Sequence, residues 1–150
     1  GIRAFADHPD QWDALAEDPS LLPGAVEELV RWVTPLNNFF RTATEDTTIG
    51  VQAVAAGDRV ILLYPSANRD EAVFTDPFAF DVRRSPNPHV AFGHGTHFCL
   101  GANLARYELQ LLFGELTARF RPPVVVTEPD VEANIFARAV RSFDVHLEPR

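Results

Sequence analysis

Internal disulfides are excluded at once, because the 150-residue chain holds a single cysteine, Cys99. A bridge-free chain fits a reducing compartment, so a cytoplasmic setting is expected and attention moves to the chemistry of that thiol. Long apolar runs are missing too. The stretch Val60-Ile61-Leu62-Leu63-Tyr64 falls far short of the roughly 20 residues that a membrane-spanning helix needs. No basic segment leads into an apolar N-terminal stretch, so no signal peptide is read. Positive charge is scarce: 13 basic residues stand against 21 acidic ones, a formal net charge of −8. That balance argues against nucleic acid or an anionic membrane as the main partner, while leaving room for a basic protein patch to dock. Methionine is absent, and the chain opens inside what reads as a structured element, so it is expected to be part of something longer.

What is present is a globular composition, 46% hydrophobic and 23% charged, with no repeat, linker or low-complexity tract. Trp12, Leu15 and Ala16 at helical spacing predict a short helix over 10–17, stopped by Asp18-Pro19. Ala25, Val26, Leu29, Val30 and Val33 share one face and predict a helix from Pro23 to Val33, with Pro23 suited to its first turn and Pro35 ending it. Stretches 39–43, 47–54 and 59–64, rich in β-branched and aromatic residues, predict strands of one small antiparallel sheet. Residues 65–99 carry four prolines and little periodicity, which predicts a long ordered meander. Leu104, Leu111, Leu112 and Leu116 predict an amphipathic helix over 100–120, closed by Pro122-Pro123. Short strands are expected over 124–126, 134–139 and 143–147. The fold class expected is mainly α with small antiparallel β-sheets.

Cys99 stands where a glycine-rich stretch meets the start of the long helix, and free N–H groups with a positive dipole end there favour a thiolate. A buried, inert cysteine is the ordinary alternative. Gly93, Gly95 and Gly101 tilt the balance, because missing Cβ atoms let backbone approach a flat or bulky object. A zinc site is a second alternative, since His89, His94, His97 and Cys99 fall close together. Their spacing is poor for paired zinc ligands and leaves the glycines unexplained. His94 is expected to face solvent, and His89 to pin its loop by a hydrogen bond.

The ten residues Phe92-Gly93-His94-Gly95-Thr96-His97-Phe98-Cys99-Leu100-Gly101 resemble the haem-binding signature of the cytochrome P-450 superfamily, Phe-x-x-Gly-x-x-x-Cys-x-Gly. Glu28-Leu29-Val30-Arg31 and Ser66-Ala67-Asn68-Arg69-Asp70 resemble further stretches of its soluble bacterial members, so the likeness runs from about residue 5 to the C-terminus. The resemblance implies that residues 1–150 form the C-terminal portion of such a fold, without its N-terminal part and oxygen-activating helix. It implies haem b as cofactor, with Cys99 as axial thiolate ligand, Phe92 beside the sulfur, and Gly93 and Gly101 giving close approach. His97 and Arg41 would bind haem propionates, the arginine through charge-assisted hydrogen bonds. Glu28 and Arg31 would join Arg84, with Arg83 the alternative, in a structural lock. Leu36, Asn37 and Asn38, and separately Phe136 and Ala137, match stretches that line the substrate pocket. The activity implied is insertion of one oxygen atom from O₂ into an apolar small molecule, a sterol, terpenoid or fatty acid. A ferredoxin-type protein would deliver electrons, with Arg59, Arg69, Arg83, Arg84 and Arg106 offering positive charge to it. Peroxide-driven or other haem-thiolate chemistry, and a non-catalytic remnant, are the alternatives.

Overall fold

A computed structural model describes residues 1–150. Three helices come first: α1 (Ile2–Asp7), α2 (Pro9–Glu17) and α3 (Leu22–Val33). Proline opens α2 and sits in the first turn of α3, where its missing N–H costs nothing. Asp18 closes the intervening turn by accepting from both the N–H and the hydroxyl of Ser20. At the end of α3, Thr34 adopts a left-handed backbone (φ 40°) and its hydroxyl donates to the Arg31 carbonyl at 2.6 Å. This turn aims the chain into strand β1 (Asn38–Thr42).

The apolar face of α3 lies against the first two helices, the meander and the long helix α5 (Ala102–Arg119). Phe5, Trp12, Leu15, Leu29, Phe80, Val82 and Phe113 form the centre of this core. Phe5 meets Trp12 and Phe80 edge to face, with ring centres 5.4 Å apart in both pairs. Trp12 is fully buried, and its indole N–H donates to the Phe120 carbonyl at 3.0 Å. The expected leucine stripe of α5 is corrected here. Leu109, Phe113 and Leu116 turn to the core, whereas Leu104 and Leu111, seven residues apart and on one side, face outward with Leu112 half exposed. The helix carries two apolar sides, and only one is packed.

Strand β1 (Asn38–Thr42) pairs antiparallel with β4 (Arg59–Leu63), Arg41 lying opposite Val60. Between them β2 (Thr47–Ile49) and β3 (Gln52–Val54) form a separate hairpin. The expectation of one strand over 47–54 in a single sheet therefore fails, because Gly50 at φ 60° turns the chain back on itself. Tyr64 leaves the strand and opens a single helical turn, α4 (Tyr64–Ala67). The meander follows, with one 3₁₀ turn at Gly95–His97. The C-terminal end holds two further two-stranded pairs, β5 (Val124–Val125) with β8 (Val145–His146) and β6 (Asp130–Val131) with β7 (Val140–Ser142). Residues 134–139 are not a strand: the Asn134 carboxamide accepts from the N–H groups of Phe136 and Ala137 and bends the segment into a loop. Helices with small antiparallel sheets are the architecture overall, and no helix is long and apolar enough to cross a membrane.

Candidate functional site

The meander is held from behind by a buried ionic lock. Glu28 and Arg31 lie one turn apart on α3, and both are completely buried. All five N–H groups of the Arg31 guanidinium are used. Two meet the Glu28 carboxylate at 2.7 Å, and the others reach the carbonyls of Asn68, Pro77 and Ala79. Arg84 Nε reaches Glu28 at 3.1 Å, and its remaining N–H groups hold the carbonyls of Thr75, Asp76 and Ala79. The Asp81 N–H and the Asn87 amide complete the shell around Glu28. Arg83 faces solvent and takes no part. Asn68, unremarked in the sequence as a side chain, is fully buried and ties three segments together. Its amide donates to the Thr34 hydroxyl, and its side-chain oxygen accepts from the Val90 N–H at 2.8 Å.

The loop bearing Cys99 is built differently. The helix expected to begin near Leu100 begins at Ala102, and the Ala102 N–H bonds to the carbonyl of Cys99 rather than to its sulfur. Cys99 thus precedes the helix instead of capping it, and it is exposed. Its own N–H donates to the Phe92 carbonyl at 2.9 Å, closing the loop on itself. Gly93 sits at φ 76°, a left-handed backbone that residues with a side chain rarely adopt, so the conformation calls for glycine there. A Cβ on Gly101 would stand 3.9 Å from the Cys99 sulfur. His94 is exposed, as expected. No group of three or more His, Cys, Asp or Glu side chains is arranged to hold a metal ion, so the zinc alternative finds no support.

A cavity of about 360 Å³ opens beside the thiol. Its walls are apolar, with Val30, Leu36, Phe39, Phe92 and Leu109 among them, and Cys99, Gly93 and His97 lie on its rim. A neighbouring hollow is lined by Phe39, Arg41, Tyr64 and His97. Arg41 is exposed and has no carboxylate partner, donating only to the carbonyl of Phe40 at 2.9 Å. An accessible thiol over an apolar hollow, a glycine surface without Cβ atoms, and a free cation beside a histidine fit a flat, apolar macrocycle bearing acidic groups at one edge. The residues therefore fit haem.

Two expected pocket segments do come together, but mostly with each other. Leu36 bridges Ala137, the Asn37 N–H donates to the Phe136 carbonyl at 2.7 Å, and Phe39 meets Phe136 edge to face at 5.1 Å. Asn38 donates to the Ile135 carbonyl at 2.7 Å, and Arg138 Nε donates to Asn37. Of the five residues only Leu36 lines the cavity; Asn37 and Asn38 are spent on fastening the 134–138 loop. The expected patch of five arginines is also dispersed. Arg84 belongs to the lock, Arg69 lies over the Trp32 ring and donates to its carbonyl, and Arg106 is paired with Glu27. Burial pulls the Arg69 guanidinium below its usual range. Arg59 and Arg83 remain exposed.

Sequence reasoning missed Tyr64, which is buried and lines both hollows, and Glu27, to which His89 and Arg106 converge. Burial pushes the Glu27 carboxyl up, but hydrogen bonds from Arg106 and His89 outweigh it and hold the group at about 2. His89 does pin its loop, bonding Glu27 and accepting from the Ala91 N–H.

With this geometry in hand, the similarity to known proteins is informative. The family described as Cytochrome P-450 matches residues 3–143. Steroid C26-monooxygenase of Mycobacterium tuberculosis is 52% identical over 131 residues, 87% of this chain and 35% of that protein. Cytochrome P-450-terp of a Pseudomonas species is 43% identical over 146 residues, 97% of this chain and 34% of that protein. Among solved structures, Cytochrome P-450-153 from Novosphingobium aromaticivorans superimposes with a TM-score of 0.93 at 42% identity, over 98% of this chain and 38% of the other. The chain spans about a third of the length of the curated relatives it matches.

Proposed function

The chain belongs to the cytochrome P-450 family, and from that premise we propose that it forms the thiolate-bearing side of a haem-dependent monooxygenase acting on an apolar small molecule. The observation that carries the proposal is the single cysteine, exposed on a left-handed glycine loop at the rim of an apolar cavity. Bound there, haem b would supply the activation of O₂. Cys99 would hold its iron. Phe92, Leu36 and Phe39 give the hollow its apolar walls. Arg41 and His97, which line the neighbouring hollow, would hold the propionates. Glu28, Arg31 and Arg84 keep the meander against α3 and so fix the base on which the loop rests.

The substrate class is read from relatives and walls together. Relatives that are about half identical over the stretch they share with this chain are a steroid C26-monooxygenase and a methyl-branched lipid omega-hydroxylase, and the cavity here is apolar. A sterol, terpenoid or fatty chain suits such walls, and a cytoplasmic ferredoxin suits the exposed loop at Cys99 and Leu100 as electron donor. The test is the absorption spectrum of the reduced, carbon-monoxide-bound protein loaded with haem, in the longest polypeptide carrying this chain. A long-wavelength Soret band that Cys99→Ser abolishes supports the reading; a band that survives the substitution removes Cys99 as the ligand.

A further inference from the structure

Three side chains from separate elements meet behind the thiol loop, outside both the buried lock and the cavity. Glu27 of α3 takes the guanidinium of Arg106 of α5 at two points, Nε to Oε1 at 2.6 Å and Nη2 to Oε2 at 2.8 Å. His89 Nε2 lies 3.0 Å from the same Oε2. The Ala91 N–H donates to His89 Nδ1 at 3.3 Å, so Nδ1 carries the lone pair and Nε2 the proton given to Glu27. Two members of this group then grip one ring. The guanidinium carbon of Arg106 stands 4.7 Å from the centre of Phe92, and the His89 ring lies 5.9 Å from it. Phe92 in turn is joined to the thiol through the main chain, since its carbonyl accepts the Cys99 N–H at 2.9 Å. An unbroken path of contacts runs from two helices of the core to the residue that bears the sulfur.

We propose that Glu27, His89 and Arg106 are positioning residues for the Cys99 sulfur, fixing the Phe92 ring and, through its carbonyl, the pose of the loop. The assignment rests on the reading of Cys99 as the haem ligand. The loop needs such an outside reference. Gly93 and Gly95 give it left-handed turns and no side chains to pack, and Phe98, Cys99 and Leu100 are exposed. Glu27 and Arg106 sit on the two longest helices of the chain, which pack on each other. Only a planar guanidinium can grip a carboxylate at two points and lie over a ring at the same time, a combination that lysine lacks.

The test uses the haem-loaded polypeptide carrying this chain, with carbon monoxide as the spectral probe. Glu27→Gln and Arg106→Gln are expected to lose the thiolate-type band about tenfold faster than the parent, the scale on which supporting partners of metal ligands act. Both are expected to shift the reduction potential, which loss of fold stability alone does not move. Arg106→Lys should behave like Arg106→Gln, and the double variant should be no worse than either single one, as for groups acting as a unit. Glu115→Gln, which opens the exposed Glu115–Arg119 pair on the same helix, serves as the control and should match the parent. Triad variants with the parent's decay rate and potential overturn the proposal. So does full rescue by lysine, or an equal effect in the control. A parent with no thiolate-type band overturns the haem reading itself and the triad with it, whereas a parent with the band and indifferent variants overturns the triad alone.

Discussion

The ionic lock behind the meander and the loop that carries Cys99 stand a short way apart and are built on opposite principles. In the lock, charge is buried and every donor of Arg31 is matched by an acceptor. In the loop, the reactive group is exposed and the backbone closes on itself, Cys99 donating to Phe92 and Phe98 to Gly95. Burying charge is costly unless the satisfaction is complete, which suits a part that must never move. Leaving a sulfur open is the requirement for ligation, and the rigidity it gives up has to be supplied from elsewhere. Stability and reactivity are thus assigned to different residues.

The largest loss is expected at Arg31. Arg31→Ala leaves the buried Glu28 carboxylate with Arg84 as its one cation and deprives the carbonyls of Asn68, Pro77 and Ala79 of a donor, and urea unfolding should show a loss of about 3–5 kcal/mol. Asn68→Ala leaves the Val90 N–H and the Thr34 hydroxyl short of a partner, and the same titration should register about 1–3 kcal/mol. Gly93→Ala tests the loop from its own side: an L side chain at φ 76° should cost about 1–2 kcal/mol, together with faster haem release.

Acid sharpens the contrast between the lock and the group behind Phe92. The Glu27 carboxyl is held at about 2 in the fold against a usual 4.5, so its ion pair stabilises the protein above pH 4.5 and that contribution fades as pH falls toward 2. With solvent screening at this partly buried pair the loss is on the order of 1 kcal/mol. Glu27→Gln should flatten unfolding profiles in that window, and an unchanged slope would deny the pair its role. The smallest effect on stability is expected at the reactive group itself. Cys99→Ser should unfold within about 0.5 kcal/mol of the parent in its haem-free form, even though it abolishes the thiolate-type spectrum.

What could be read from the residues in advance was what is local. Helix α3 announces itself through five apolar positions on one face and prolines at either end, and Glu28 with Arg31 through a spacing of one turn. The loop at Cys99 is legible because glycines in that density have few other reasons to occur beside a helix. The rest depends on distance along the chain. Glu27 meets His89 and Arg106, 62 and 79 residues away, and no periodicity announces such a meeting. The outward leucines of α5 misled for a related reason: spacing reports that a helix has an apolar side, but not which of two sides finds a partner. The Asn134 turn shows the third limit, since one carboxamide bonding its own backbone defeats the strand tendency of Ile135 and Phe136.

Arg31 and Arg84 grip the meander through carbonyl oxygens at 68, 75, 76, 77 and 79, and every amino acid carries that oxygen. The path of the segment is thereby separated from its spelling. Exposed positions such as Thr75 and Ala79 can drift in identity over generations while the trace they follow stays where two arginines hold it, so outward variety and inward constancy can coexist in the same stretch of chain.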